Sequence, residues 1–334
     1  MKMLMFDFRD SERDYFNNND LRDFDIEFIK EPLNEMSILS DEQLYETDII
    51  SVFITSSITE SVIKRFKNLR IIAARSTGFD HIDLDYCSQN NIAVFNVGKY
   101  GERSVAQFTF MLIIALSRKL LPAYLDTQKN LINHADYEGR NLEGLTLGIM
   151  GCGSIGSSVA KIAHFFGMKV YACSYEKNSE ISGFTEYCSF DELLANSDII
   201  TLHLPYNKET YHIINDENIK KMKKGAIIIN TARGELIDII ALYNNIISGH
   251  LAGAALDVIE CEKFAVSDVP INPLDGCSEC LTKALAVQKL LGIPNVIITP
   301  HIAYNTKESV YNLLDTTFNS IRDYLKGLHT NQLR

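Results

Sequence analysis

Leu145-Thr-Leu-Gly-Ile-Met150, followed by Gly151-Cys152-Gly153-Ser154-Ile155-Gly156, is the stretch that decides the fold. The apolar run to Met150 reads as a strand and the glycines as a turn, while Ile155, Val159, Ile162, Ala163 and Phe166 recur at helical spacing. Lys169 to Cys173 reads as the next strand. A G-x-G-x-x-G turn thus stands after a strand and opens a helix. Glycines let the backbone turn sharply and approach a pyrophosphate, and the unpaired N–H groups of a helix start offer donors and positive potential to an anion. A glycine-rich turn with no ligand is the plain alternative, but the placement favours a dinucleotide.

Outward from this unit, short β-branched runs alternate with helix-period stretches, the pattern of β-α-β units in an α/β chain. Asp48 to Ile54, Leu69 to Ala74 and Ile92 to Phe95 read as strands, with helices at Glu60 to Phe66 and Leu84 to Gln89. Downstream strands are expected at Ile199 to Leu204, Ala226 to Asn230, Gly253 to Val258 and Val296 to Thr299. Ser104 to Leu121 reads as one helix, apolar on nearly every face, which predicts burial between two larger bodies. Glu262 to Ile293 is irregular, with Pro270, Pro273 and Cys277-Ser-Glu-Cys280, and reads as a long decorated loop.

The 334 residues suffice for about two domains, and 46% apolar with 22% charged residues is a globular composition. A net charge of −11 lacks the positive surplus that nucleic acid or an anionic membrane selects, so neither is an expected partner. The greasy stretch Val105 to Leu116 is interrupted by Gln107 and Thr109 and falls short of a membrane span. Met1 to Phe8, cut by Asp7, Arg9 and Asp10, reads as a first strand rather than a signal peptide, which makes the cytoplasm the expected compartment. Seven cysteines, an odd count, suit reduced thiols there. Cys277 and Cys280 form a lone C-x-x-C without the second pair that a zinc site needs, so no metal is expected.

Three further segments each follow a strand: Asn230-Thr-Ala-Arg233-Gly, Ala255-Leu-Asp257-Val-Ile-Glu-Cys-Glu262, and Thr299-Pro-His301-Ile-Ala-Tyr304. Ligands of open parallel sheets bind beyond the carboxyl ends of strands, where Arg, Glu and His can converge. With Arg75-Ser-Thr-Gly-Phe-Asp-His-Ile-Asp-Leu84, Asn96-Val-Gly-Lys-Tyr100, Leu202-His-Leu-Pro205 and Gly249-His-Leu-Ala-Gly-Ala-Ala-Leu-Asp257, these segments resemble the D-isomer-specific 2-hydroxyacid dehydrogenases along nearly the whole chain. Tyr100 and the Ala-Tyr-Asn-Thr after His301 look most like the D-lactate dehydrogenase branch, including the D-lactate-forming enzymes of vancomycin resistance.

The resemblance implies two parallel-sheet domains, Rossmann-like and flavodoxin-like. Residues 1–100 and 302–334 would bind substrate, and residues 101–301, inserted between them, the nucleotide. It implies reversible reduction of a small 2-oxo acid, pyruvate first, to the D-2-hydroxy acid, in a homodimer built around the Ser104 helix and the segment after it. His301 would be the acid/base, because a carbonyl that gains hydride needs a proton at oxygen. Glu262 would hold it as imidazolium, and Arg233 would grip the substrate carboxylate with a planar fork. Thr77, Gly78 and Tyr100 would lie at that carboxylate. Val105, Gly151, Gly153, Ser154, Ile155, Gly156, Ser174, Pro205, Thr210, Thr231, Ala232 and Asp257 would line the cofactor, Asp257 accepting from the nicotinamide amide.

Ser174 stands where an acidic residue commonly binds the ribose, with Glu176 and Lys177 beside it, which leaves NAD and NADP both open. Two departures from the family pattern bear on substrate choice. Gln107 replaces a common acidic residue, and 39 positions separate Glu262 from His301. Other 2-oxo acids, among them hydroxypyruvate, glyoxylate and branched ones, and a dinucleotide-sensing regulator on the same fold, are the competing readings.

Overall fold

The computed structural model describes residues 1–131, 133–261 and 278–333. Glu262 and Cys277 lie outside the described residues. The chain divides into two compact units, Met1–Gly101 with Asn305–Arg334, and Glu102–Tyr304.

In the second unit seven strands form one parallel sheet: β6 (Thr146–Met150), β7 (Lys169–Cys173), β8 (Thr185–Tyr187), β9 (Ile199–Leu202), β10 (Ala226–Asn230), β11 (Leu251–Leu256) and β12 (Val296–Ile298). Their order, β12-β11-β10-β9-β6-β7-β8, is that of a doubly wound dinucleotide fold with one strand added at the β11 edge. Both faces are covered, which is why β6 and β9 are buried at every position and read as unbroken apolar runs. Leu193, Leu194, Ile200, Leu242 and Val287 pack on one face, and Ile113, Ile149, Val159 and Ala163 on the other.

The first unit holds five parallel strands: β1 (Lys2–Met5), β2 (Asp25–Phe28), β3 (Ile49–Val52), β4 (Ile71–Ala74) and β5 (Ala93–Phe95). Their order, β2-β1-β3-β4-β5, is the flavodoxin-like one. The helix Lys307–Leu325 returns to this sheet, and its Leu314, Phe318 and Ile321 pack with Met3, Met5, Ile71 and Phe95.

Two expectations need correction. The single helix expected over Ser104 to Leu121 is two, Glu102–Ser117 and Leu120–Gln128, with Lys119 between them at φ +51°. Pro122 is the reason, since its ring would collide with the carbonyl of Arg118 and it has no N–H for a continuing helix. The first of these helices packs its Phe110 and Ile113 on the seven-stranded sheet, in one core with Val159 of the helix Ser154–Phe165. Likewise the expected loop to Ile293 contains a helix, Ser278–Leu291. Its buried face is made of Lys283, Ala284, Ala286, Val287 and Leu290. Small residues and a buried lysine gave little apolar signal against the turn residues before it. Among the described residues no single helix is long and apolar enough to cross a membrane.

Candidate active site

Two of the three glycines of the turn have a steric reason to be glycine. Gly151 sits at φ +91°, and a Cβ there would lie 2.5 Å from the carbonyl oxygen of His203. A Cβ on Gly156 would run into the carbonyl oxygen of Gly151. Gly153 instead faces open space, and the helix Ser154–Phe165 that it begins has no side-chain cap. A sharp turn, a bare helix start and an unobstructed approach fit a dinucleotide pyrophosphate. Ser174, just past β7, accepts a hydrogen bond from the Cys152 N–H at 3.3 Å. Lys177 lies over the Tyr187 ring at 5.6 Å, and Glu176 is exposed. Burial pushes the Cys152 thiol up to about 11, so it stays protonated beside the turn.

The remaining cofactor candidates of this unit follow other strands at the same end of the sheet. Thr210 Oγ1 donates to the Pro205 carbonyl at 2.7 Å and receives the Asn207 N–H at 2.8 Å, closing the turn after β9. Val105 is buried on the helix Glu102–Ser117; one turn on, Thr109 Oγ1 lies 2.9 Å from Thr231 Oγ1 just past β10. His203 is in the same region. Its Nε2 lies 3.0 Å from Thr201 Oγ1, its buried Nδ1 has no hydrogen-bond partner among the described residues, and desolvation pushes it down to about 3.

The turn that carries Arg233 is built by a residue to which the sequence reading gave no role. Asn230, fully buried at the end of β10, accepts the Ala232 N–H at 3.0 Å and donates to the Arg233 carbonyl at 2.7 Å. Its place inside the Thr-Ala-Arg-Gly segment was the available signal. Arg233 is half-buried, with one guanidinium nitrogen 2.7 Å from the Ala232 carbonyl. The next residue, Gly234, approaches the Ile259–Glu260 peptide so closely that no Cβ would fit. The loops after β10 and β11 are therefore locked together.

Asp257, at the exit of β11, binds the third loop. Its Oδ1 accepts from the Thr299 hydroxyl at 2.6 Å and the Ile302 N–H at 2.9 Å, and its Oδ2 from the Ala303 N–H at 2.8 Å. Its carbonyl receives the His301 N–H at 2.9 Å. The carboxylate expected at the nicotinamide thus has three of its about four acceptor sites engaged in holding His301. His301 itself has φ +54°, a conformation that non-glycine residues adopt where surrounding structure enforces it. The structure brings Arg233, Asp257 and His301 to one end of three adjacent strands.

A second acid near this end is Glu260. Its Oε1 accepts from the buried Lys283 at 2.6 Å, and its Oε2 lies 3.0 Å from His212 Nε2. Desolvation pushes the Lys283 ammonium down, but its hydrogen bonds to Glu260 and Glu279 outweigh this and raise its pKa above the usual amine value. The expectation of reduced thiols throughout is corrected here, because Cys261 is disulfide-bonded to Cys280. The C-x-x-C reading looked to the wrong neighbour, since spacing along the chain does not show that the helix Ser278–Leu291 turns Cys280 toward β11. Among the described residues no cluster of three His, Cys, Asp or Glu side chains is placed to hold a metal.

In the other unit the loop after β4 carries Thr77 and Gly78. The Thr77 hydroxyl donates to the Val97 carbonyl at 2.8 Å, Asn96 Nδ2 to the Thr77 carbonyl at 2.8 Å, and the Val97 N–H to the Ser76 carbonyl at 3.0 Å. The amides of Thr77 and Gly78 find no acceptor among the described residues. Tyr100 is half-buried near the end of the same unit.

A doubly wound sheet with an open glycine turn, and with arginine and histidine at neighbouring strand ends, defines a pyridine-nucleotide-dependent oxidoreductase. Residues 110–303 match the D-isomer specific 2-hydroxyacid dehydrogenase, NAD binding domain. The chain is 38% identical to a D-specific alpha-keto acid dehydrogenase of Enterococcus faecium over 82% of each chain. It is 36% identical to an aromatic 2-oxoacid reductase of Clostridium sporogenes over 85% of each. A solved D-lactate dehydrogenase from Aquifex aeolicus, complexed with NAD and lactic acid, superposes with TM-score 0.85 at 34% identity, covering 99% of this chain and 98% of that one. The chain belongs to the D-isomer-specific 2-hydroxyacid dehydrogenase family and is an NAD-dependent oxidoreductase acting on CH–OH groups.

Two outcomes follow for the site. Asp257→Asn turns an NH2 group toward the donors around it and should cost about 1–3 kcal/mol of stability, read as a lowered urea midpoint with unchanged slope. For His203, folding lowers the pKa below the ~6.5 of the unfolded imidazole, so the unfolded state takes up the proton first and stability falls as pH drops below that value. His203→Asn should flatten that decline in urea titrations between pH 7 and pH 5.

Proposed function

We propose that the protein reduces a small 2-oxo acid, pyruvate first, to the D-2-hydroxy acid, with NADH as the main cofactor. The observation that carries this reading is the meeting of the Arg233 and His301 loops around the exit of β11, where Asp257 fixes His301 and Gly234 seats the Arg233 turn. When bound, the reduced nicotinamide supplies the hydride. Arg233 holds the substrate carboxylate with a planar fork that lysine lacks. His301 gives a proton to the carbonyl oxygen, with Glu262, as the family resemblance implies, as its partner acid. Residues 101–301 bind the nucleotide, and residues 1–100 with 302–334 the acid. The carboxylate contacts implied for Thr77, Gly78 and Tyr100 belong to this proposal, and the two free amides support them.

Ser174 carries no charge to repel a 2′-phosphate, so NADPH should be accepted as a weaker second cofactor. The homodimer belongs to the same reading. Leu120, Leu121, Tyr124, Leu125 and Leu131 are all exposed on and after the second of the two broken helices, an apolar run suited to a second copy.

A panel of pyruvate, hydroxypyruvate, glyoxylate, branched and aromatic 2-oxo acids with each cofactor tests the whole reading. Pyruvate with NADH should give the highest kcat/KM, and binding of NADH without turnover of any acid would sink it. His301→Ala should lower kcat by ~10²–10⁴ at neutral pH, and a near-normal rate would remove the residue from the mechanism. Ser174→Asp should raise the NADH-to-NADPH ratio of kcat/KM. Light scattering of a dilute sample should give twice the chain mass, and Leu125→Asp should halve it.

A further inference from the structure

The chain leaving β11 is tied twice to the helix Ser278–Leu291. One tie is ionic: buried Glu260 accepts from buried Lys283 at 2.6 Å, and Lys283 also reaches Glu279 at 2.6 Å. The other is covalent and one residue further on, where Cys261, at φ +55°, is bonded to Cys280 with the two Cα atoms 5.8 Å apart. Both cysteines are half-buried, within reach of a thiol from solution. Of the free cysteines among the described residues, Cys87 and Cys152 are buried and Cys173 and Cys188 half-buried, and desolvation raises all four thiols, those of Cys87, Cys152 and Cys188 to about 11, which makes them poor thiolates. The turn that these ties hold is in direct contact with the site, because the Ile259–Glu260 peptide packs on Gly234 with no room for a Cβ, next to Arg233.

We propose that Cys261 and Cys280 form a thiol–disulfide exchange site, at which a dithiol reductant lowers turnover by releasing the covalent tie on the turn after β11. The inference rests on the proposed role of Glu262, the residue that follows Cys261, as the acid paired with His301. A thiolate of the reductant attacks one sulfur of the Cys261–Cys280 bond and forms a mixed disulfide, and the other cysteine leaves as a thiolate that takes up a proton. The second thiol of the reductant, losing its proton, then displaces the remaining cysteine, which is protonated in turn. In sum the protein disulfide gains two electrons and two protons and becomes two thiols, while the dithiol becomes a disulfide. Disulfides of the same class run the exchange backwards. After reduction the Glu260–Lys283 pair still anchors the turn through a side chain, but the backbone at Cys261 is no longer pinned. A displacement of about 1 Å beside the reacting groups can cost up to ~10²-fold in rate.

The test takes the full chain reduced with dithiothreitol and reoxidised with glutathione disulfide, each state counted by mass after alkylation. Kinetics with the best 2-oxo acid should show kcat about tenfold lower in the reduced state, with KM for NADH changed less than twofold, and full return on reoxidation. Cys261→Ser and Cys280→Ser should each stay at the reduced rate and ignore both reagents, whereas Cys87→Ser should respond like the parent. Equal turnover in the two states, a response that persists in Cys280→Ser, or failure of the bond to form on oxidation would each overturn the exchange site. Redox-insensitive turnover leaves the catalytic reading standing, while absence of turnover in both states with every 2-oxo acid overturns the two together.

Discussion

The buried carboxylate of Asp257 is the constraint on which the site depends. Backbone N–H groups at strand ends lose their ladder partners and, when buried, must find others. Here the Ile302 and Ala303 amides point at one side chain, and the Thr299 hydroxyl joins them. The His301 amide goes to the Asp257 carbonyl in the same turn, so both the entry and the exit of the histidine loop are anchored on one residue. A left-handed conformation at a non-glycine residue costs on the order of 1–3 kcal/mol, and several hydrogen bonds of about 1 kcal/mol each are enough to hold it. Asp257 is thereby a positioning group, whatever else it offers a cofactor.

The same solution recurs in the first unit. Asp7, also left-handed at φ +55°, follows β1 and accepts from the Phe53 N–H at 3.0 Å and from the Ser56 hydroxyl at 2.7 Å, with Thr55 on its other oxygen. Arg75, at the end of β4, is 1% exposed, and its guanidinium contacts Glu12 and the Phe6 carbonyl. Desolvation works against that charge and lowers its pKa, with Glu12 and Asp7 opposing the fall. A buried arginine held this way fixes the start of the Ser76-Thr77-Gly78 loop more firmly than apolar packing would, because releasing it takes a buried partner from the Glu12 carboxylate and from the Phe6 carbonyl.

The sequence disclosed those features whose cause is local. The glycine turn needs glycine for two close approaches, at Gly151 and Gly156, and leaves Gly153 open, and the central strands, buried on both faces, are apolar without interruption. The places of Arg233 and His301 at strand ends were legible because each follows an apolar run directly. What stayed hidden depends on partners distant along the chain. The edge strand β2 is mostly exposed and carries no apolar run. That Glu260 is taken up by Lys283 and His212 could not be read from the chain, because both partners lie more than twenty positions away. The helix Ser278–Leu291 buries alanines and a lysine, so its face lacks the contrast that periodicity detects. The disulfide was hidden for the same reason, as it needs that helix in place before Cys280 can face Cys261.

Three loops at the catalytic end of the second unit each contain a strained, non-glycine residue with its own tie. His212, at φ +48° after β9, is held by Glu260; Cys261, at φ +55° after β11, by Cys280; and His301, at φ +54° after β12, by Asp257. Strain of this kind persists only where the surroundings over-determine it, so each tie marks a place where loop geometry is imposed on the chain rather than chosen by it. The ties differ in chemistry. That on His301 uses hydrogen bonds to the carboxylate and carbonyl of Asp257 and is insensitive to oxidant, and that on His212 is a side-chain hydrogen bond with Glu260. The tie on Cys261 is a bond that thiols can cut. Because Glu260 and Cys261 are consecutive, the second and third of these meet in one turn, packed against Gly234. Loosening it disturbs the Arg233 segment while leaving the histidine loop anchored and the sheet beneath them intact.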